Sequence, residues 1–346
     1  MNNKLLISGV LGLGTCMIYT PIHAGEAQAQ SKPNVLIIYT DDMGAGDVSF
    51  LNNGWVKTPN IDKLASGGLI VTNYYSSSPV SSPSRVGLTT GRFPTEMGIN
   101  CYLQTRKGNA ACEQFDYLDA SVPTMAKVMK SAGYTTGHFG KWHMGGGRDV
   151  IDAPQITEYG FDEYISTWES PNPDPVITDS AWIWSRTDQV KRWDRTAYFV
   201  DKTLDFLKRH KGEPCFVNLW PDDMHTPWVP SQKTMDSERT SWTTPPNFKE
   251  VLTEYDKQIG RLMEGLTKLG LEKNTIVIFT SDNGPAPSFQ QMRTNSLLGV
   301  KCSLYEGGIR MPFAIHWPEK IKAGGINDSS IVCACLLYTS DAADDL

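Results

Sequence analysis

The stretch "NVLIIYTDD", residues 34–42, decides the fold prediction for this chain. Its first seven residues form a largely apolar run with β-branched side chains, which is typical of a strand buried on both faces of a parallel sheet. The run leads directly into Asp41 and Asp42. The sequence therefore predicts a central strand that places two adjacent carboxylates at its carboxyl end.

Strand and helix patterns alternate along the rest of the chain. Further strands are predicted at 69–75, 134–140, 215–220, 275–281 and 311–317, and helices at 60–68, 83–91, 122–134, 195–210 and 247–270. This alternation predicts an α/β fold with a mostly parallel sheet flanked by helices on both faces. Residues 145–195 are rich in Trp, Pro and Asp without a clear period, and we interpret them as an insertion over the sheet edge that helps to shape a substrate pocket.

Composition and the amino terminus limit the class of protein. The 346 residues are 40% hydrophobic and 20% charged with a net charge of -6, which is typical of a globular protein and argues against a nucleic-acid-binding surface. Residues 1–29 are predicted to be a signal peptide, because their apolar run after Lys4 is too short to span a bilayer. We expect an exported, periplasmic protein without a membrane span; a lipoprotein anchored through Cys16 fits the sequence less well.

The carboxyl end of the sequence differs in character from the rest of the chain. The last twelve residues, "CLLYTSDAADDL" at 335–346, resemble the translated read-through of a sequencing-library adapter. We therefore expect an artefactual tail after a domain of residues 33–334 that is incomplete at its carboxyl end.

Within that domain Cys101 and Cys112 are eleven residues apart, and the sequence leaves open whether they form a local disulfide or remain two free thiols.

Polar residues collect directly after four of the predicted strands. In a parallel sheet, ligands bind beyond the carboxyl ends of the strands. The residues found there are Asp41, Asp42, Lys141, His143, His225, Asp282 and Asn283. Adjacent carboxylates repel one another unless a cation lies between them, and an all-oxygen set of ligands favours a hard ion such as calcium. Each aspartate taken singly could instead cap a helix or close an Asx turn.

The segment "PVSSPSRVGLTTGR", residues 79–92, suggests a second element of this site. Ser82 followed by Pro83 is predicted to cap the short helix, which leaves Ser81 just beyond the helix amino terminus. Free amide donors at that end favour an anion or a developing negative charge, and Arg85 lies one turn further on. The alternative is a capped helix after a serine-rich loop with no chemical role.

Three blocks of the sequence resemble one protein family. Residues 81–92 resemble the type I sulfatase signature, in which Cys or Ser-x-Pro-Ser-Arg is followed by Thr-Gly-Arg. Residues 133–145, "GYTTGHFGKWHMG", and residues 299–312, "GVKCSLYEGGIRMP", resemble two further blocks of that family. The resemblance implies an alkaline-phosphatase-like sandwich, with residues 33–334 as an incomplete sulfatase catalytic domain and a smaller C-terminal subdomain truncated.

The same resemblance implies a modified nucleophile and a metal ion. Ser81 would be oxidised to formylglycine, whose hydrated gem-diol attacks sulfur. Because the position is a serine, an anaerobic radical-SAM maturase of a bacterium would be the partner that converts it. The family's calcium ligands correspond to Asp41, Asp42, Asp282 and Asn283, with the modified Ser81 completing the set.

The resemblance also assigns roles to five further side chains. Arg85 would steady the formylglycine, and Lys141 would bind both it and the sulfate. His143 would hydrogen-bond the gem-diol and act as the base that releases sulfate. His225 and Lys301 would bind the sulfate and protonate or neutralise the leaving oxygen.

The substrate implied is a sulfated glycan, of the galactose or N-acetylgalactosamine type. Two other functions are open on the sequence. The same fold serves phosphomonoester and phosphodiester hydrolases, in which an unmodified serine or threonine attacks phosphorus. A catalytically inactive relative would only bind a glycan, with Ser81 left unmodified.

Overall fold

Nine strands build one sheet in the part of the chain that the structure describes. The structure is a computed structural model, and it describes residues 32–52, 54–178, 184–237, 243–287 and 289–333. The strands are β1 (Asn34–Thr40), β2 (Leu69–Tyr75), β3 (Thr135–Gly140), β4 (Glu163–Ser166), β5 (Cys215–Trp220), β6 (Thr275–Ser281), β7 (Arg310–Met311), β8 (Ala314–His316) and β9 (Gly325–Val332).

The sheet is mostly parallel, which confirms the predicted α/β class. Its strand order is β4-β3-β5-β1-β6-β8-β2-β7, with β9 also pairing with β2. The five strands from β4 to β6 in that order run parallel to one another. β8 joins β6 to β2 through antiparallel pairing, and β7 is antiparallel to β2 as well.

Helices cover both faces of this sheet. They are α1 (Pro59–Ser66), α2 (Ser81–Thr90), α3 (Arg106–Ala111), α4 (Met125–Ser131), α5 (Arg195–Arg209), α6 (Gln232–Met235), α7 (Pro245–Leu269) and α8 (Glu306–Ile309). Short 3-10 turns occupy Ala45–Asp47, Pro94–Met97, Ile156–Tyr159, Arg192–Asp194 and Phe289–Thr294.

The apolar run of β1 is buried from both sides because successive side chains of a strand point to opposite faces. Leu36 and Ile38 pack into the core formed with α1, α5 and α7. Ile37 and Tyr39 pack into a second core that includes residues of α2 and α4. The result is a three-layer sandwich in which β1 is fixed between two cores and its carboxyl end is held in place.

Two of the predicted elements have a different form in the structure. The segment 311–317 forms two short strands instead of one, since Pro312 lacks the N–H group that a continuous strand would use. The predicted Ser82 N-cap is wrong: α2 begins at Ser81, with Val80 as its N-cap residue and no side-chain capping bond. The Ser82 hydroxyl instead accepts a hydrogen bond from the backbone N–H of Leu103 at 2.9 Å.

Other predictions concern the cysteines and the ends of the chain. Cys101 and Cys112 are free thiols in the structure. The predicted signal peptide with Cys16 and the tail 335–346 lie outside the described residues. Among the residues that are described, no helix has the length and hydrophobicity needed to cross a bilayer.

Candidate active site

The register of two parallel strands brings the predicted acids together. Thr40 at the end of β1 is paired with Ser281 at the end of β6, so Asp41 and Asp282 emerge side by side. The backbone N–H of Asp42 donates to Asp282 Oδ1 at 3.0 Å. One carboxylate oxygen from each of Asp41, Asp42 and Asp282 lies within 4.8 Å of the others, and we call these three residues the acid cluster.

The acid cluster suits a hard cation. All three carboxylates are buried, and burial together with the charge of Asp41 raises the pKa of Asp282 to about 7. Asn283 donates through Nδ2 to Asp42 Oδ1 at 2.7 Å, which turns its Oδ1 in the direction of Ser81. Because every available donor is an oxygen, the set matches calcium better than zinc or copper.

Ser81 lies against the acid cluster. Its Oγ is 3.0 Å from Asp41 Oδ1 and 3.1 Å from Asn283 Oδ1, and the residue is only 2% exposed. A single hydroxyl proton satisfies one of these acceptors at a time. The first residue of α2 therefore presents its oxygen to the same group of oxygens that would hold a metal ion.

Arg85 connects α2 to three of the strand ends. Its Nη2 donates to Asp282 Oδ2 at 2.7 Å and reaches Asp41 Oδ1 at 3.3 Å, while Nη1 donates to the carbonyl of Lys141 at 3.1 Å. Burial opposes the charge of this fully buried guanidinium, but the two aspartates hold its pKa above the ordinary value. Arg85 thus fixes the backbone before His143 as well as the acid cluster.

Two lysines approach the acid cluster from different elements. Lys141 Nζ, after β3, is 2.9 Å from Asp41 Oδ2. Lys301 Nζ is 2.6 and 2.8 Å from the two oxygens of Asp42. Burial disfavours the charge on Lys301, yet Asp42 and Asp41 raise its pKa above the usual value. With Arg85, three cationic groups therefore face three carboxylates in a buried space.

His225 joins the site from the end of β5. Its Nδ1 is 2.7 Å from the carbonyl oxygen of Thr226, which can only accept, so Nδ1 carries the proton and Nε2 faces Asp42 Oδ2 at 3.7 Å. Burial and the nearby charge of Lys301 lower the pKa of His225. Its side chain stays 21% exposed, although Nε2 faces a buried carboxylate.

His143 is held by two groups, one of which the sequence did not reveal. Its Nε2 is 3.0 Å from the carbonyl oxygen of Leu103, and its Nδ1 is 3.2 Å from Glu169 Oε2. Burial lowers the pKa of His143 to about 3. Glu169 follows β4 at the sheet edge, and recognising that short strand within the segment 145–195 would have placed it with the other strand-end residues.

The segment 145–195 contributes directly to the depression beside the acid cluster. Thr167, Trp168 and Glu169 line it together with residues of the other strand ends: Asp41, Lys141, Asp222 and His225. Trp168 and Trp184 are 5% and 7% exposed, so neither offers an open ring face for stacking on a sugar. Arg148 covers Trp168 at 4.7 Å from the ring centroid.

A second group of buried charges lies behind His225. Asp222 Oδ2 accepts from Arg192 at 2.6 Å and from Arg195 at 2.9 Å, and Arg195 also reaches Asp188 at 3.4 Å. Arg192 further donates to the carbonyl of His225 at 3.1 Å. We call these two arginines and two aspartates the arginine cluster. It fixes the backbone of the loop that carries His225.

Comparison with known proteins matches this arrangement to one family. The sulfatase family model matches residues 33–339. An N-acetylgalactosamine-6-O-sulfatase of Bacteroides thetaiotaomicron is 29% identical, covering 92% of this chain and 73% of that protein. Human N-acetylgalactosamine-6-sulfatase is 30% identical over 93% of this chain and 66% of that protein.

Solved structures show the same fold. The crystal structure of Ps i-CgsB in complex with k-i-k-neocarrahexaose has a TM-score of 0.73 and 27% identity, and covers 90% of this chain and 72% of that one. The chain spans 60% to 73% of the length of the first curated relatives that it matches. The match over nearly all residues that form the sheet and the site shows that the chain belongs to the sulfatase family.

Proposed function

We propose that this protein hydrolyses sulfate esters of glycans, with Ser81 as the position converted to formylglycine and calcium as the metal ion. The observation that carries the proposal is the placement of the Ser81 hydroxyl, 3.0 Å from Asp41 and 3.1 Å from Asn283, inside a buried ring of acids and cations. A serine at a helix start with only a structural role does not require three carboxylates, an arginine and two lysines around it.

The proposed calcium site consists of side chains already assembled by the strand ends. Asp41, Asp42, Asp282 and Asn283, with the modified Ser81, would hold the ion. Bound calcium would supply a fixed positive charge beside the reacting oxygens. Three carboxylates face three cationic side chains here, so a divalent ion leaves the site with a net attraction for an anionic ester.

The nucleophile and the cationic side chains have separable proposed roles. Hydrated formylglycine at position 81 would supply the attacking oxygen. Arg85 orients that residue through its contacts with Asp41 and Asp282, and Lys141 and Lys301 bind the sulfate oxygens, where negative charge spreads during cleavage. These lysines contact Asp41 and Asp42, so they would lie close to the metal ion as well as to the substrate.

The two histidines are proposed to move protons at different points. Both are neutral at physiological pH, since burial lowers the pKa of each. His225, partly exposed and near Lys301, would take up a proton from solvent at Nε2 and pass it to the leaving oxygen, or neutralise that oxygen in its protonated form. His143, deeper in the site, would accept a proton at Nδ1 as the base that releases sulfate.

We propose a sulfated galactose or N-acetylgalactosamine as the substrate unit. Support comes from relatives named for N-acetylgalactosamine-6-sulfate ester cleavage in a bacterium and in humans. The glycan would be processed after export to the periplasm, and Ser81 would be converted beforehand by an anaerobic radical-SAM maturase, since the position is a serine.

The test combines turnover with the state of residue 81. The full-length protein is co-expressed with a serine-type maturase and assayed for sulfate release from a panel of sulfated monosaccharides. Mass spectrometry of the peptide containing Ser81 should show the loss of two hydrogens. We expect release on at least one galactose-type sugar, and none from Ser81→Ala.

Two results would assign a different function. Hydrolysis of phosphate esters by protein with unmodified Ser81 would identify a phosphomonoesterase or phosphodiesterase. Glycan binding without hydrolysis of either ester class, again with Ser81 unmodified, would identify an inactive glycan-binding protein.

A further inference from the structure

Glu169 contacts three charged or titratable side chains at the edge of the site. Its Oε2 is 3.2 Å from His143 Nδ1 and 3.6 Å from Lys141 Nζ, while Oε1 is 3.2 Å from Arg148 Nη2. The backbone N–H of His143 also donates to the carbonyl of Glu169 at 2.9 Å. Residue 169, which is 8% exposed, thus accepts a hydrogen bond from His143 through its main chain and places its carboxylate beside the ring.

The contacts of His143 fix where its proton lies. The Leu103 carbonyl can only accept, so Nε2 carries the hydrogen, and in the neutral ring Nδ1 is left with a lone pair. That nitrogen is buried and has no hydrogen-bond partner among the described residues. Glu169 Oε2 therefore lies beside Nδ1 as a charge without occupying its hydrogen-bonding direction, and Nδ1 remains open to receive a proton.

We propose that Glu169 is a positioning residue for His143, which keeps the ring in place and stabilises the positive charge that it gains when Nδ1 accepts a proton. The inference rests on the proposed function, in which His143 is the base. In other hydrolytic sites a carboxylate likewise stabilises the imidazolium, there from the ring nitrogen opposite the one that accepts the proton.

The charges around the ring show why a partner is needed. Burial works against a charged His143 most strongly, Glu169 favours it, and Lys141 and Arg85 both disfavour it. Without Glu169 the ring would have to become positive in a buried space next to two cations. The Leu103 carbonyl orients the ring but carries only a partial charge.

Kinetics of the matured enzyme separate this role from substrate binding. Glu169→Gln keeps the size of the side chain and removes its charge, so we expect kcat to fall about 10–100-fold. KM should change by less than about twofold, because no ground-state contact with substrate is lost. Glu169→Asp, which keeps the charge, should recover part of the lost kcat.

Arg148→Gln is the matched control. Arg148 reaches Glu169 through Oε1, the oxygen that does not face His143. Its kcat should therefore stay within about twofold of the wild-type value if the His143 contact is what matters. An equal loss of kcat in Arg148→Gln, or a raised KM with unchanged kcat in Glu169→Gln, would overturn the proposal.

A measurement on unmodified protein tests the same contact without catalysis. The ring N–H of His143 is observed by NMR after histidine 15N labelling and assigned through its absence in His143→Gln. We expect this signal in the wild type and in Arg148→Gln, and faster exchange with solvent in Glu169→Ala. An unchanged exchange rate in Glu169→Ala would refute the positioning role, even if no sugar in the panel were hydrolysed and the proposed function itself failed.

Discussion

The acid cluster and the arginine cluster each contribute one aspartate, Asp41 and Asp222, to the lining of the same depression, yet their charges are arranged in opposite ways. In the arginine cluster two guanidinium groups converge on one carboxylate oxygen of Asp222, and although burial opposes ionisation, Arg192 and Arg195 lower the pKa of Asp222 to about 2. In the acid cluster burial opposes ionisation of Asp41 and Asp42, but Lys141 and Lys301 hold their pKa values below the ordinary value, and only Asp282 has its pKa raised, by burial and the charge of Asp41, to about 7. The first arrangement favours the ionised aspartate on its own, whereas the second would be relieved by an added cation.

The difference separates a group that supports the fold from a group prepared for a ligand. Removing one partner of a buried ion pair leaves an uncompensated charge and strongly destabilises a protein. Asp282 is also paired with the buried Arg85, but its removal relieves repulsion from Asp41 and Asp42, so the loss of stability should be smaller. Four experiments test this contrast, in order of decreasing expected effect.

Asp222→Ala should have the largest effect on folding. It leaves the guanidinium groups of Arg192 and Arg195 buried with less compensation, so the free energy of unfolding should fall by about 3–5 kcal/mol. Asp282→Asn, measured in a chelator at pH 7, should lower it by less than Asp222→Ala does, since Arg85 keeps its contact with Asp41 and the crowding of the carboxylates is reduced. Denaturant unfolding gives the free energy of unfolding of both variants. Equal losses would show that the two clusters do not differ in their contribution to stability.

Calcium should stabilise the wild type through the acid cluster. At a free concentration of a hundred times its dissociation constant, the expected gain is about 2.7 kcal/mol, measured as the difference between unfolding with calcium and with a chelator. Asp282→Asn should lose this gain, while Asp116→Asn, a variant of a partly exposed acid paired with Arg106, should keep it. A gain that persists in Asp282→Asn would place the ion elsewhere.

The titration of Asp282 should make the free energy of unfolding of the metal-free protein depend on pH. Its folded-state pKa of about 7 lies above that of an unfolded aspartate, so over the interval between them the folded state binds more protons and stability falls as pH rises. The difference in unfolding free energy between wild type and Asp282→Asn should therefore shift in favour of the variant from pH 5 to pH 8. A difference independent of pH over this range would contradict the raised pKa.

An ion pair at the surface should contribute least to the free energy of unfolding. Arg209 and Glu163 are 45% and 40% exposed, although their atoms are 2.7 Å apart. Glu163→Gln should change the free energy of unfolding by less than about 1 kcal/mol, because solvent screens the pair. Thermal unfolding at low and high salt provides the check, and a loss as large as that of Asp222→Ala would show that burial is not the deciding variable.

Much of the site could be predicted from the sequence because the ends of the central strands could be located. Apolar runs identified β1, β3, β5 and β6, and the polar residues that follow them do meet at one edge of the sheet. The rule that ligands bind at the carboxyl ends of parallel strands required no side-chain information. The placement of Asp41 next to Asp282 follows from that rule and from the pairing of the two strands.

What the sequence concealed lies where local patterns are weak. The edge strand β4 has four residues, of which one is fully buried, so it contains no apolar run that would predict a strand. Glu169, which follows this strand, was therefore not predicted from the sequence. The strand β9 has no fully buried residue and mixes half-buried with exposed positions, so it contains no apolar run either. The Ser82 cap was wrong because its hydroxyl is taken by Leu103, a residue 21 positions away, and tertiary partners of this kind cannot be read from local propensity.

Leu103 has a further consequence for engineering the protein. Its N–H holds the Ser82 hydroxyl and its carbonyl holds His143, so both links are made by main-chain atoms. Any amino acid except proline supplies the same N–H and carbonyl groups. The buried leucine side chain has only to fit the apolar space around it in the second core. Position 103 is therefore a site at which a library of apolar residues could tune the packing beneath the active centre while the two hydrogen bonds are retained.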